Sequence, residues 1–209
     1  LTQGMGMLMD GHFVLEQTTR CRNGYIFNFN GTAGVWRRDA IAAAGGWEDH
    51  TICEDTDLSY RAHLAGYRGV YLKDLPVPSE LPVQITALKS QQHRWAKGLT
   101  ECLFKLMPRI WRSDIGLKRK LEATFHLGGN LAYPASFFMV VVALPVMLLR
   151  TQGAVQGPFA AVVDTMVFML AVVTQVGFYV AATKELHTDW IRRLRWLPFF
   201  PLVGVGLAV

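Results

Sequence analysis

Cysteine is scarce in this chain, and charge is missing from most of its last third. Three cysteines, Cys21, Cys53 and Cys102, are scattered, odd in number and without metal-ligand spacing. That excludes a zinc scaffold and a disulfide framework, and it suits a reducing compartment. No charged side chain occurs from Leu127 to Leu149, Phe159 to Thr183 contains only Asp164, and a third apolar run opens at Leu197 and continues to Val209. With 51% hydrophobic residues and a mean hydropathy of +0.22, this distribution argues against a purely soluble protein. The first two runs, 127–149 and 159–183, are long enough to span a bilayer with some tilt, and 197–209 reads as a truncated third span. The chain opens at Leu1 without a signal-peptide pattern and closes inside an apolar run, so it reads as a fragment.

Charge is present elsewhere, with a net value of +5 and a pI near 9.3. Its distribution argues against nucleic acid. Lys89, Arg94, Lys97, Lys105, Arg109, Arg112, Lys118, Arg119 and Lys120 precede the first apolar run, Lys184, Arg192, Arg193 and Arg195 separate the second from the third, and Thr151 to Pro158 carries no charge. By the positive-inside rule the N-terminal region and the second inter-span loop are cytoplasmic. The basic excess then serves topology and attraction to anionic lipid.

The densest chemistry lies in Thr51 to Arg61, TICEDTDLSYR, where Glu54, Asp55 and Asp57 open a predicted helix that Gly66 ends. Thr51 and Glu54 have capping-box spacing. Acids at a helix start gain from the macrodipole, so for Glu54 an electrostatic and a chemical role both stand open. Three acids in four positions exceed what capping needs, since each repels the others unless a base role, a cation or a positive neighbour uses it. Cys53, beside two acids, is expected to be a buried thiol with a raised pKa.

Tyr25 to Phe29, Val35-Trp36 and Gly69 to Leu72 read as short strands. Between the first two, Asn30-Gly31-Thr32-Ala33-Gly34 is a turn of small residues that lets backbone approach a ligand or simply joins strands. A helix from about Gln84 toward Leu106, stopped by Pro108, places Gln91, Arg94 and Trp95 on one face at i, i+3 and i+4. Amide, guanidinium and indole together suit a site wall: Arg forks onto phosphate, Gln bonds hydroxyls, and Trp offers a flat plate to a sugar ring. A stacked Arg and Trp at a membrane surface is the competing account. Arg109 to Glu122, basic with Trp111, Ile115 and Leu121 interspersed, suits a helix in the headgroup plane. Asp164 is expected in a solvated position near the outer interface.

In this order FNGTAGVWRR, GGW, CEDTDLSYR, SELP and QQHRW, followed by a basic helix and apolar spans, resemble the family 2 membrane glycosyltransferases. The likeness covers roughly residues 8 to 209 and is greatest to the cellulose-synthase-like β-mannan (glucomannan) synthases. Its most specific elements are the acidic motif and QQHRW, about 35 residues apart. The resemblance implies an α/β fold, the C-terminal part of a GT-A domain followed by transmembrane helices. It divides the chain into cytoplasmic domain 1–108, interfacial helix 109–126 and membrane region 127–209. It makes Asp55, with Glu54 beside it, the catalytic carboxylate of the TED motif, whose usual Thr is Cys53 here. Gln91, Arg94 and Trp95 match QxxRW, which holds donor diphosphate and acceptor sugar, and Asn30, Gly31 and Thr32 match the turn flanking the acceptor. Asp55-Thr56-Asp57 also spells DxD, but the family's metal-binding DxD lies upstream, so Mg²⁺ or Mn²⁺ is expected to take its ligands mainly there.

The implied reaction is inverting transfer of a hexose from a nucleotide sugar, GDP-mannose or a UDP-hexose, to a polysaccharide or oligosaccharide acceptor at a membrane, by a multi-pass enzyme with a cytoplasmic catalytic domain. The 209 residues alone are expected to be inactive. Transfer to a lipid acceptor, ceramide or polyprenyl phosphate, is the neighbouring alternative, and a non-catalytic polymer-export component is the alternative from another class.

Overall fold

The computed structural model describes residues 2–153 and 157–199. The third apolar run, from residue 200 onward, lies outside the described residues. The chain opens with α1 (Thr2–Asp10), a π-helical segment (Gly11–Gln17) and α2 (Thr18–Arg22), followed by α3 (Arg38–Ala43) and α4 (Glu54–Leu64). The long α5 (Ile85–Arg112) leads through a short turn to α6 (Leu117–Leu127), a 3₁₀ turn (Gly128–Leu131) and α7 (Ala132–Thr151). α8 (Pro158–Leu186), α9 (Trp190–Arg193) and a 3₁₀ segment (Leu194–Phe199) complete it.

The core forms where α4, α5 and α6 meet. Tyr60 of α4, Cys102, Leu106 and Ile110 of α5, and Ala123 and Leu127 of α6 are all fully buried there with Ile26. Residues 102, 106 and 110 recur every four positions, so one stripe of α5 faces this core. α4 is buried on nearly every side, and its buried Asp57, Ser59 and Arg61 make hydrogen bonds there, with Arg61 Nη2 left without one. Arg61 donates to Asp57 at 2.7 Å and to the carbonyls of Ala44 and Gly46 at 2.5 and 2.8 Å, and Lys105 pairs with Asp57 at 3.0 Å and Glu48 at 2.6 Å. Tyr60 and His126 share a hydrogen bond of 2.6 Å, tying α4 to α6, and Arg20 pairs with Glu122.

Four expectations are corrected. The described residues contain no strand, so the α/β fold and the strands at 25–29, 35–36 and 69–72 are not formed here. A strand needs a ladder partner, and in this region side chains take the backbone groups instead. Gln17 donates to the Asn28 carbonyl at 3.1 Å, the Phe29 N–H donates to Ser59 Oγ at 2.8 Å, and the Tyr71 N–H meets Cys21 Sγ at 3.3 Å. Pro108 does not stop α5, because Leu106 and Ile110 on either side of it are fully buried and their packing outweighs a penalty of about 3 kcal/mol. The stretch 109–126 is accordingly not one helix: α5 runs to Arg112 and α6 starts at Leu117. The capping box is not formed either, since α4 begins at Glu54 with Cys53 as its cap and Thr51 is buried two residues before that cap.

Among the described residues two helices are long and apolar enough to cross a membrane, Leu117–Thr151 and Phe159–Leu186. Asn130 donates to the Ala96 carbonyl at 3.2 Å, anchoring the 3₁₀ turn before α7 to α5. Asp164 pairs in a fork with Arg150 at the end of α7, at 2.5 and 3.3 Å, and both are half exposed. At the other end of α8, Phe178 covers Gly11, where a Cβ would come within 2.6 Å of the ring.

Candidate active site

Asp55 stands in the first turn of α4, and its position follows from what holds that turn. Cys53, the cap, sits under α5: its Sγ lies 4.0 Å from the Trp95 carbonyl, and its own carbonyl accepts from Cys102 Sγ at 3.5 Å. The Ile52 N–H donates to Glu101 at 2.9 Å. The helices approach this closely because residue 98 is Gly, at which a Cβ would fall 2.4 Å from Cys53 Sγ and 2.8 Å from Cys53 N. Burial pushes the Cys53 thiol up to about 11, with the Asp55 and Glu54 charges adding to it, so it is no nucleophile.

The Asp55 carboxylate accepts the Thr56 N–H at 2.7 Å through Oδ1. Its Oδ2 faces the turn: a Cβ on Gly31 would sit 3.2 Å from it. Gly31 has φ +76° and Ala33 has φ +60°, the latter a left-handed conformation that costs an L residue energy and is held by its surroundings. Ser59 links the two segments, donating to the Asp55 carbonyl at 2.7 Å while accepting from Phe29 N–H. Burial raises the Asp55 pKa above the usual 3.8, the Thr56 backbone N–H lowers it, and the Glu54 charge raises it.

Gln91, Arg94 and Trp95 lie on the α5 face that continues into Gly98 and Cys102, the residues seated on Cys53. The same helical stripe thus runs from the core to the start of α4, and its QxxRW end projects past it. Arg94 is exposed and Trp95 is 40% exposed. Among the described residues no hydrogen bond or ion pair joins these side chains to Asp55 or Glu54. The best-formed depressions lie elsewhere, one across α5 between Lys97, Phe104, Asn130 and Tyr133, the other behind α4 at Arg61. Asp55 itself is partly buried. Glu54 is half-buried, and Gly31 and Thr32 are exposed.

Two features escaped the sequence. Asn30 is reached by His12 from the π-helical segment, with Nε2 at 3.3 Å from its Oδ1, and nothing in the composition of residues 1–24 signals this. Phe29, Trp36 and Trp47 form a chain of edge-to-face rings at 5.9 and 6.2 Å beside the turn, with Trp47 48% exposed.

Among the described residues Mg²⁺ or Mn²⁺ finds no ligand set. Asp57 is fully buried and committed to Arg61 and Lys105, so Asp55 and Asp57 do not converge on a cation. Among the described residues no group of three or more His, Cys, Asp or Glu could hold a metal ion.

Comparison with known proteins fixes the family. The model of glycosyl transferase family group 2 matches residues 6–180. This chain belongs to glycosyl transferase family group 2. Its relatives in that family include glucomannan 4-beta-mannosyltransferase 7 of Arabidopsis thaliana, 40% identical over 153 residues, which are 71% of this chain and 28% of the relative. Probable glucomannan 4-beta-mannosyltransferase 6 of Oryza sativa subsp. japonica is 50% identical over 159 residues, 69% of this chain and 26% of the relative. Probable glucomannan 4-beta-mannosyltransferase 15 of Arabidopsis thaliana is 33% identical over 184 residues, 86% and 34% respectively. The group 2 chain is thus of the cellulose-synthase-like type, and it spans about a quarter to a third of these curated relatives. No solved structure matches it.

Proposed function

We propose that this chain carries the acceptor-facing part of an inverting β-glycosyltransferase, which moves a hexose from GDP-mannose or a UDP-hexose to a growing β-linked polysaccharide. The observation that supports it most is the Asp55 carboxylate set against Gly31 of the Asn-Gly-Thr turn, with its basicity raised by burial. A sugar hydroxyl is too weak an acid to attack unaided, so a carboxylate within about 3 Å accepts its proton as the oxygen attacks the anomeric carbon. The new C–O bond forms as the bond to the diphosphate breaks, and a single displacement inverts the centre. Arg94, exposed on the α5 face, would meet the diphosphate charge, and Gln91 and Trp95 would engage sugar hydroxyls and a ring face. Asn30, Gly31 and Thr32 flank the acceptor, and Glu54 keeps the Asp55 environment acidic.

In the same proposal, residues 1–108 complete a GT-A domain together with the remainder of a full-length enzyme. Residues 109–126 rest at the cytosolic interface. Leu117, Leu121 and Phe125 are exposed at i, i+4 and i+8 of α6, with Lys118 and Arg119 beside them. α7 and α8 then cross the bilayer within the 127–209 membrane region of a multi-pass protein.

Asp55→Asn in the full-length enzyme tests the base role. Transfer of labelled mannose from GDP-mannose is expected to fall by roughly 10²- to 10⁴-fold with GDP-mannose binding retained. Unchanged transfer removes Asp55 from the chemistry, and a product of one sugar on lipid removes the polysaccharide acceptor.

A further inference from the structure

The helix that opens the chain changes its winding where it passes the Asn-Gly-Thr turn. Gly11–Gln17 is π-helical, a rare geometry that is frequent at functional sites. It brings His12 between two partners: Nδ1 lies 2.9 Å from Glu16 Oε2 and Nε2 lies 3.3 Å from Asn30 Oδ1. The same Asn30 oxygen accepts from Asn28 Nδ2 at 2.9 Å. Gln17 Nε2, 3.4 Å from the imidazole, donates to the Asn28 carbonyl at 3.1 Å.

Among the described residues these contacts engage only the oxygen end of the Asn30 amide. With Oδ1 taken by Asn28 and His12, the two N–H groups of Nδ2 are the donors left to face outward. Asn30 adjoins Gly31, against which the Asp55 carboxylate sits. His12 and Glu16 keep 30% and 46% of their side-chain surface exposed, so the array is not sealed in the interior.

We propose that His12 is a positioning residue. With both ring nitrogens protonated, it donates from Nδ1 to Glu16 and from Nε2 to Asn30 Oδ1, and so fixes the Asn30 amide so that Nδ2 donates to a hydroxyl oxygen of the acceptor sugar beside Asp55. This rests on the transferase assignment and goes beyond it by adding the first helix of the chain to the acceptor site.

The test uses the full-length enzyme with GDP-mannose as donor and β-1,4-mannohexaose as acceptor. His12→Ala is expected to raise the acceptor KM about tenfold, the effect of one lost well-placed hydrogen bond, with the donor KM unchanged. His12→Gln places an amide nitrogen near the position of Nε2 and should recover most of that loss. His12→Asn reaches only the Nδ1 side and should remain as impaired as His12→Ala. The double variant His12→Ala/Asn30→Ala should be no worse than Asn30→Ala, because His12 acts through Asn30. Additive losses, equal behaviour of the Gln and Asn variants, or an acceptor KM within twofold of wild type throughout overturns the proposal. Should His12→Ala not fold, the Gln and Asn pair alone decides it. Asp55→Asn run in parallel separates the two failures: if that variant transfers normally the base assignment falls, whereas its inactivity beside indifferent His12 variants sinks only the positioning role.

Discussion

Gly98→Ala probes the contact on which the site is built. In an unobstructed helix interior the change would gain about 1 kcal/mol, since Ala is the best helix former and Gly among the worst. Here the new Cβ would stand 2.4 Å from Cys53 Sγ, 2.8 Å from Cys53 N and 3.1 Å from Cys53 Cβ. The sulfur could rotate, but the backbone nitrogen can yield only if α4 shifts. Overpacking costs about 1–3 kcal/mol, and a clash with backbone falls in the upper part of that range, about 2–3 kcal/mol, so the expected net effect is a loss of roughly 1–2 kcal/mol after the propensity gain. In the longer full-length enzyme that corresponds to a fall in Tm of roughly 1–2 °C. Differential scanning fluorimetry of the detergent-solubilised full-length protein would read it, with Gly6→Ala as control. Gly6 lies in α1 with nothing within 4 Å of its added Cβ, so its Tm should stay level or rise. Transfer should fall further than stability, because displacing α5 separates the QxxRW face from Asp55. Cys53→Ala combined with Gly98→Ala should recover part of the Tm by removing the sulfur. A Gly98→Ala protein as stable and as active as wild type would refute the crossing geometry.

Asp57→Asn leaves Arg61, 2% exposed, without its nearest carboxylate, and breaking a buried pair of this kind should cost about 3 kcal/mol, read as Tm in the same assay. Transfer per folded molecule should stay within a few-fold of wild type, whereas its abolition would return Asp57 to the chemistry. The pH profile of kcat/KM tests the environment of Asp55. Its folded pKa is raised by burial, so the proton-accepting form is lost as pH falls through a value above 3.8, and the acid limb should lie above the ordinary aspartate range. The stability linkage has the opposite sign: a raised carboxylate pKa disfavours the ionised form in the fold, so Asp55 contributes no acid destabilisation in that window. An acid limb at or below 3.8 refutes the desolvated base.

What was legible in the sequence was what depends on neighbours close in the chain. α4 starts with its three acids and ends before Gly66, which takes φ +92°, because helix start and stop chemistry is local. The apolar runs became α7 and α8 within a few residues, since hydropathy alone dictates such helices. Tertiary terms overrode local ones elsewhere. Pro108 carries a local stop signal, yet buried Leu106 and Ile110 hold the helix through it, and Thr51 has a capping sequence but is drawn into the interior. The three strands failed for a different reason: alternation and aromatic content mark a chain able to pair, and pairing needs a second strand that no local pattern supplies. His12 was invisible because its role depends on π winding and on a partner 18 residues away.

The acidic motif splits into two kinds of residue, and burial is what divides them. Asp57 faces inward onto Arg61 and Lys105, which lock α4 to the carbonyls of Ala44 and Gly46 and to α5. Asp55, two positions earlier and so on a different side of the helix, faces the turn. A carboxylate that must meet a substrate within a few tenths of an ångström needs a support that does not move with it. The Asp57 ion-pair network and the Gly98 crossing supply that support. It follows that changes at Gly98 or Arg61, neither of which borders the acceptor, should lower transfer by misplacing Asp55, whereas changes at Trp95 should weaken acceptor binding and leave the acid limb of the pH profile where Asp55 sets it.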